Sequence, residues 1–124
     1  MKTILAAILS TLLLSTAVYM SLPEESLKQE IAGSGICVAE FNASFNSENG
    51  VSWIENISDC KPRRIDIASY PNLQKEYNIV VVPTIVIFQE GEEVKRFQAN
   101  IMMQLEATEE EVQEAVDEII MSAF

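Results

Sequence analysis

The chain has 124 residues, 48% of them hydrophobic, and a net charge of −11, which indicates one folded domain rather than a disordered chain. Eight Lys and Arg residues against 19 Asp and Glu residues argue against nucleic-acid binding, because such a surface repels a phosphate backbone. The absence of histidine excludes Ser–His and Cys–His catalysis and His-ligated metals. Two cysteines are too few for a Cys-only structural zinc site, so we expect no metal and no other cofactor.

Residues 1–20 are typical of a targeting or anchoring segment. Lys2 precedes a stretch without charge over residues 3–20. Ser15 and Ala17 fit the small-x-small pattern of a signal-peptide cleavage site. As a helix, the same stretch would span about 27 Å, close to the roughly 30 Å of a hydrocarbon core. The sequence therefore predicts a cleaved signal peptide or an uncleaved membrane anchor. Either one places the remaining chain outside the cytoplasm, as a periplasmic, luminal or secreted domain.

The remaining sequence predicts alternating helices and strands. The first half predicts a helix after Pro23 that ends at Gly33, a strand over residues 36–41, and a short amphipathic helix that carries Val51, Ile54 and Ile57 and ends near Asp59. The second half predicts a strand over residues 64–68, a helix over residues 71–77, strands over residues 80–88 and 93–98, and a last helix capped by Thr108. This order is α/β, with crossovers that predict parallel pairing after each of the first two strands and a final antiparallel pair. We expect a lead-in helix and linker over residues 21–35 and the main domain over residues 36–124.

The segment around Pro83 carries a family resemblance. A proline is costly inside a central strand, yet Pro83 stands between a run of valines and Thr84. This Val-Pro-Thr segment and the following Gly turn resemble the thioredoxin family. Residues 38–45 are similar to that family's first core strand, and residues 65–79 to its second strand and following helix. The resemblance implies a thioredoxin-like fold, with a central mixed four-stranded sheet flanked by helices, a cis Val82–Pro83 bond and, in this chain, a preceding hydrophobic helix.

The residues at the family's active site differ in this chain. The two active-site cysteines of the family correspond to Asn46 and Asn49. Thiol–disulfide exchange requires an attacking thiolate and a resolving thiol, and an amide supplies neither. The resemblance therefore implies a redox-inactive domain that is not an enzyme, with Asn46 as the N-cap of the predicted helix. Glu40 stands where the family commonly has a buried Asp, and we expect it to be a structural carboxylate.

The two cysteines lie elsewhere in the chain. Cys37 begins the first predicted strand and Cys60 precedes the second, and the resembled fold makes these strands parallel neighbours. Neighbouring strands are about 4.8 Å apart, which is within reach of a disulfide. The alternatives are a structural disulfide and two buried free thiols that pack as small apolar residues. A reactive pair would instead make the chain a thiol–disulfide oxidoreductase or redox sensor.

The predicted function is protein binding, either as a binding domain or as a structural subunit of an assembly. In the resembled family, the backbone beside the cis-proline pairs with an extended substrate chain. We therefore expect the binding groove between the loop after the first strand and the proline segment. The partner is an unidentified protein, and the membrane is a further partner through residues 3–20 if these are retained. The expected groove residues are Phe45, Asn46, Ser47, Glu48, Asn49, Val82, Pro83 and Thr84.

Overall fold

A computed structural model describes residues 22–123. The predicted hydrophobic helix over residues 1–20 lies outside this range. Within the range, no helix has both the length and the apolar character that a membrane crossing requires. The helices and strands are α1 (Glu24–Ala32), β1 (Ile36–Asn42), β2 (Lys61–Asp66), α2 (Pro71–Glu76), β3 (Thr84–Gln89), β4 (Glu92–Gln98) and α3 (Glu109–Ser122), with 3-10 helices at Ser44–Asn49 and Ile54–Asn56.

The four strands form one mixed sheet in the order β2-β1-β3-β4. The pairing of β1 with β2 is parallel, as predicted, with Cys37 opposite Lys61. The second crossover contradicts the prediction, because β3 runs antiparallel to β1. The connection over residues 67–83 buries Leu73, Ile79 and Val82 in the cluster that contains Phe41 and Ile65, near the ends of β1 and β2. β3 therefore starts with Thr84 beside Phe41, at the end where β2 stops, and runs back along β1.

Helices cover both faces of the sheet, because β1 and β3 bury side chains on both sides. On one face, Leu27 and Ile31 of α1 and Leu73 of α2 pack against Phe41 and Phe88 of the strands. On the other face, the core has three sources: the strands β1 and β3, the connection between β1 and β2, and the buried side of α3. The strands contribute Val38, Ile85 and Ile87, the connection contributes Val51, Ile54 and Ile57, and α3 contributes Val112, Ala115, Val116 and Ile119. The predicted Thr108 cap is confirmed, since its hydroxyl accepts a hydrogen bond from the Glu111 N–H at 3.2 Å.

Three predicted elements differ from the structure. The predicted helix carrying Val51, Ile54 and Ile57 is only the 3-10 helix Ile54–Asn56; its apolar residues are buried, but Gly, Ser and Asn in and around it favour turns. The predicted strand over residues 80–88 begins at Thr84, because Pro83 has no N–H to donate to a ladder. The second strand begins at Lys61 rather than residue 64 and ends at Asp66 rather than residue 68. It ends there because the Asp66 carboxylate accepts from the Ala68 N–H and turns the chain.

Candidate functional site

The side chain of Asn46 is buried between three segments of the chain. Asn46 lies in the 3-10 helix that follows β1 and is 4% exposed. Its Nδ2 donates to the main-chain oxygens of Val82 at 3.3 Å and Met103 at 3.1 Å. The same nitrogen donates to Asn42 Oδ1 at 3.2 Å, so its two hydrogens are shared among three oxygens. The amide therefore connects the end of β1, the proline segment and the loop after β4.

Two further asparagines complete this amide cluster. Asn49 Nδ2 donates to Asn46 Oδ1 at 2.8 Å, and Asn42 Nδ2 donates to the main-chain oxygen of Asn46 at 3.2 Å. The prediction that Asn46 caps a helix is wrong: the 3-10 helix has Ala43 at its N-cap and no side-chain cap, and Asn46 lies inside it. The physical reason is that buried carbonyl oxygens of distant segments are available to Asn46, so its amide serves tertiary contacts.

The loop after β4 presents apolar side chains on a hydrogen-bonded turn. Asn100 organises this turn, since its Oδ1 accepts from the N–H groups of Met102 at 2.9 Å and Gln104 at 3.2 Å. Met103 has a positive φ of 57° and is held through its carbonyl by Asn46. The side chain of Ile101 is 98% exposed. Hydrogen bonds thus hold the turn in a conformation that leaves this isoleucine in solvent.

An apolar groove of about 480 Å³ lies beside the amide cluster. Four of its lining residues are large hydrophobic residues that are exposed to solvent: Phe45, Val80, Ile101 and Met103. No residue lining the groove is charged, although the protein has a net charge of −11. The other lining residues are Ala43, Ile67, Ala68, Gln74, Ile79, Val81, Val82 and Asn100.

Comparisons with known proteins identify the fold. No protein-family model matches the chain, and no curated protein sequence matches it. Among solved structures, a mutant thioredoxin from Halobacterium salinarum NRC-1 superposes with a TM-score of 0.64 and 20% identity, over 77% of this chain and 84% of that one. The Malassezia sympodialis thioredoxin gives a TM-score of 0.60 and 21% identity, over 77% and 84%. The domain has the thioredoxin fold.

The same fold also occurs as part of a much longer protein. In the zinc-bound form of human ERp44, the match has a TM-score of 0.60 and 14% identity, and covers 78% of this chain but 30% of that one. The predicted thioredoxin-like fold and its mixed four-stranded sheet are therefore confirmed. At these identities the likeness shows the fold alone.

The thioredoxin-fold domain brings together only some of the predicted groove residues. Phe45 and Val82 line the groove, and Asn46 does not line it but donates a hydrogen bond to the Val82 carbonyl. The Val82–Pro83 bond is cis, and both Pro83 and Thr84 are buried. The remaining three predicted residues, Ser47, Glu48 and Asn49, do not line the groove.

Sequence reasoning missed the groove residues Val80, Ile101 and Met103. The valine run predicts a buried strand that includes Val80, whereas the side chain of Val80 is 69% exposed. The signal for the other two is the apolar triplet Ile101-Met102-Met103, which follows the last strand in an otherwise polar stretch.

Glu40 is a buried carboxylate with two partners. Its Oε2 accepts from the Val51 N–H at 2.9 Å, and its Oε1 forms an ion pair with Arg64 Nη1 at 2.8 Å. Burial raises the pKa of the Glu40 carboxyl, while the Val51 N–H and Arg64 act in the opposite direction. Because its bond to Val51 attaches the β1–β2 connection to β1, the contacts of Glu40 are those of a structural carboxylate.

The cysteines are free thiols on opposite faces of the sheet. Cys37 packs with Phe41 and Phe88, whereas Cys60 packs against the cluster that includes α3. Of the alternatives open from the sequence, the structure has two free thiols rather than a disulfide. Burial raises the pKa of the Cys37 thiol and raises that of Cys60 to about 11, so both are protonated at neutral pH.

Asn46→Asp tests the amide cluster with almost no change of shape. A carboxylate would turn two buried donor contacts, to the Val82 and Met103 oxygens, into oxygen–oxygen repulsion. We expect a loss of at least about 2 kcal/mol in the free energy of unfolding at neutral pH, measured by urea denaturation. The control is Asn56→Asp, the same chemical change at an exposed position, with an expected effect within about 0.5 kcal/mol. Equal effects of the two variants would contradict the contacts described for Asn46.

Glu40→Gln tests the raised pKa of Glu40. A folded-state pKa above the ordinary value of 4.5 means that the unfolded state releases this proton more readily. The wild type should therefore lose stability relative to Glu40→Gln as the pH rises from 4.5 through the folded-state pKa, and the difference should be constant at higher pH. Unfolding free energies of both proteins across this pH range measure the difference. Glu118→Gln, an exposed acid, is the control; a difference that does not change with pH, or that grows in favour of the wild type, would contradict the raised pKa.

Proposed function

We propose that this chain is a redox-inactive thioredoxin-fold domain that binds another protein through the apolar groove. The observation that carries the proposal is the exposure of large hydrophobic side chains around an uncharged groove. Ile101 is 98% exposed, Phe45 77% and Val80 69%. Contiguous apolar patches of this kind on soluble domains mark interaction sites. An acidic protein that keeps such a patch free of charge has a surface suited to an apolar partner.

The groove also has the rigidity that favours binding. Hydrogen bonds from Asn46 and within the Asn100 turn hold the Ile101–Met103 loop in the unbound protein. A partner therefore does not have to order this loop, which lowers the entropic cost of association. The flexible side chain of Met103 in the groove can adapt to the shape of a partner.

The residues at the positions that could carry dithiol chemistry support the proposed redox inactivity. The sequence has amides at Asn46 and Asn49, and the amide of Asn46 is already engaged in the cluster. The raised pKa values of Cys37 and Cys60 oppose thiolate formation, and the two thiols lie on opposite faces of the sheet. These features favour binding over an oxidoreductase or redox-sensing role. The proposal includes an extracytoplasmic location, with membrane attachment only if residues 1–20 are an uncleaved anchor rather than a cleaved signal peptide; both rest on the composition of these residues.

Photo-crosslinking in the cells that make the protein tests the binding role. Benzoyl-phenylalanine in place of Ile101 should give discrete adducts of higher mass, because this side chain would lie against the partner. A second substitution, Phe45→Ser, should remove them. The control position is Met121 on α3, which is 75% exposed and outside the groove, and should give no such adduct. Identical adducts from both positions, or none from Ile101, would contradict the proposed site.

An insulin-reduction assay tests redox inactivity. The wild type should show the same turnover as the double variant Cys37→Ala/Cys60→Ala, at the level of the reductant alone, because neither thiol is ionised at neutral pH. Alkylation of the native protein by iodoacetamide provides a second readout, and should be slow until the protein is unfolded. Turnover above that of the double variant would show that the thiols are catalytic.

A further inference from the structure

The main chain along the groove has few free acceptors for a partner strand. Val82 O accepts from Asn46 Nδ2 at 3.3 Å, and Val81 O accepts from Thr84 Oγ1 at 2.7 Å. Ile79 O accepts from Gln74 Nε2 at 3.4 Å, and Ile79 N–H donates to Gln74 O. Strand addition requires alternating free N–H and C=O groups along one segment. Among the four carbonyls of residues 79–82, only that of Val80 lacks a partner within the described residues.

The side chains of the groove, in contrast, are free to make contacts. Phe45, Val80, Ile101 and Met103 come from three different segments and surround one apolar depression. Its volume of about 480 Å³ lies within the roughly 300–1,000 Å³ of typical ligand pockets. A partner that presents apolar side chains, with its own backbone hydrogen bonds already satisfied, fits this surface. An α-helix meets both conditions, because its backbone bonds are internal and residues at i, i+3, i+4 and i+7 share one face.

Two carboxylates are hydrogen-bonded to residues that line the groove. Glu106 accepts a hydrogen bond from Asn100 Nδ2 at 3.3 Å, and Asp66 accepts from the Ala68 N–H at 3.0 Å. Asn100 and Ala68 line the groove, so both carboxylates lie at its rim. Hydrogen bonds hold the pKa of the Asp66 carboxyl below its usual range, and the bond from the Ser44 hydroxyl has the largest effect. Asp66 is therefore ionised at neutral pH. Lys75 follows the groove residue Gln74 on α2, but within the described residues its side chain has no hydrogen bond to a residue that lines the groove.

We infer that the groove binds an amphipathic helix of the partner, with an apolar stripe facing Phe45, Val80, Ile101 and Met103 and with Lys or Arg residues flanking the stripe. This inference rests on the proposed binding function and deepens it. The apolar stripe buries the exposed side chains of the groove, and the basic flanks lie near Asp66 and Glu106 at the rim. Side chains, rather than main-chain pairing at Val82, determine recognition.

Fluorescence anisotropy with model peptides tests the inference on the purified protein. The first probe is a fluorescein-labelled Leu/Lys peptide of about five helical turns, with leucines at i, i+3, i+4 and i+7. The second has the same composition with Leu and Lys alternating, which presents an apolar face only as a strand. The third is the helical pattern with Glu in place of Lys. We expect the first peptide to bind at least about tenfold more tightly than either of the others.

Matched variants separate the groove from general attraction of a basic peptide to an acidic protein. Ile101→Ser should weaken binding of the first peptide at least about tenfold, while Val94→Ser, at another exposed apolar residue, should leave it unchanged. Glu106→Gln should weaken it about two- to fivefold and Glu118→Gln should not. Because all four residues are exposed, the variants are expected to fold, and circular dichroism checks this.

Each outcome bears on one of the two proposals. If the alternating or the Glu peptide binds better and Ile101→Ser weakens that binding, the groove is a binding site but the helical, basic partner is wrong. If Ile101→Ser and Val94→Ser bind every peptide with the same affinity, the inference is wrong. Adducts from crosslinking at Ile101 would in that case still support the proposed binding function. Self-association in sedimentation that Ile101→Ser removes would place a second copy in the groove, and would also overturn the inference.

Discussion

The buried amide of Asn46 is the interaction on which the geometry of the groove depends. It binds carbonyl oxygens of residues 36 and 57 positions away, Val82 and Met103, and so connects segments that share no secondary structure. Leaving a buried carbonyl without a donor lowers the free energy of unfolding by about 1–3 kcal/mol. The Asn46 amide therefore stabilises the arrangement of these segments and disfavours arrangements in which the carbonyls lack a donor. The same contact has a consequence for recognition, because an incoming strand would have to share the Val82 carbonyl with the Asn46 amide.

The fold separates the part of the protein that provides stability from the part that is available for binding. Both faces of the sheet are covered by helices, and strands β1 and β3 are buried on both sides. Apolar residues in the loops that meet at the 3-10 helix Ser44–Asn49 are not covered in this way. Glu40 contributes on the core side, since its bond to Val51 attaches the connection that leads to β2. The loops beside the sheet are positioned by hydrogen bonds and by buried residues such as Ile79 and Val82, while Phe45, Val80 and Ile101 remain exposed.

Much of the fold could be predicted from local patterns. The hairpin between β3 and β4 follows from Glu90 and Gly91, whose positive φ values of 51° and 81° suit a tight turn, and α3 follows from the Thr108 cap and its apolar stripe. The direction of β3 could not be predicted in this way, because it depends on where the connection over residues 67–83 packs against the sheet. The run of valines before Pro83 has strong strand propensity, yet it stays outside the ladder, because tertiary position and the missing proline N–H decide pairing.

The sequence by itself determined the thioredoxin-like resemblance, the amides at Asn46 and Asn49, and the acidic, histidine-free composition, since these are matters of residue type and order. The tertiary structure decided where these residues act. It turned Asn46 inward, placed Cys37 and Cys60 on opposite faces, and brought Ile101 and Met103 beside Phe45 and Val80. Such contacts join positions far apart in the chain, and no local propensity encodes them. They arise because burial of the sheet forces the loops together, and the buried polar groups then have to find partners where they meet.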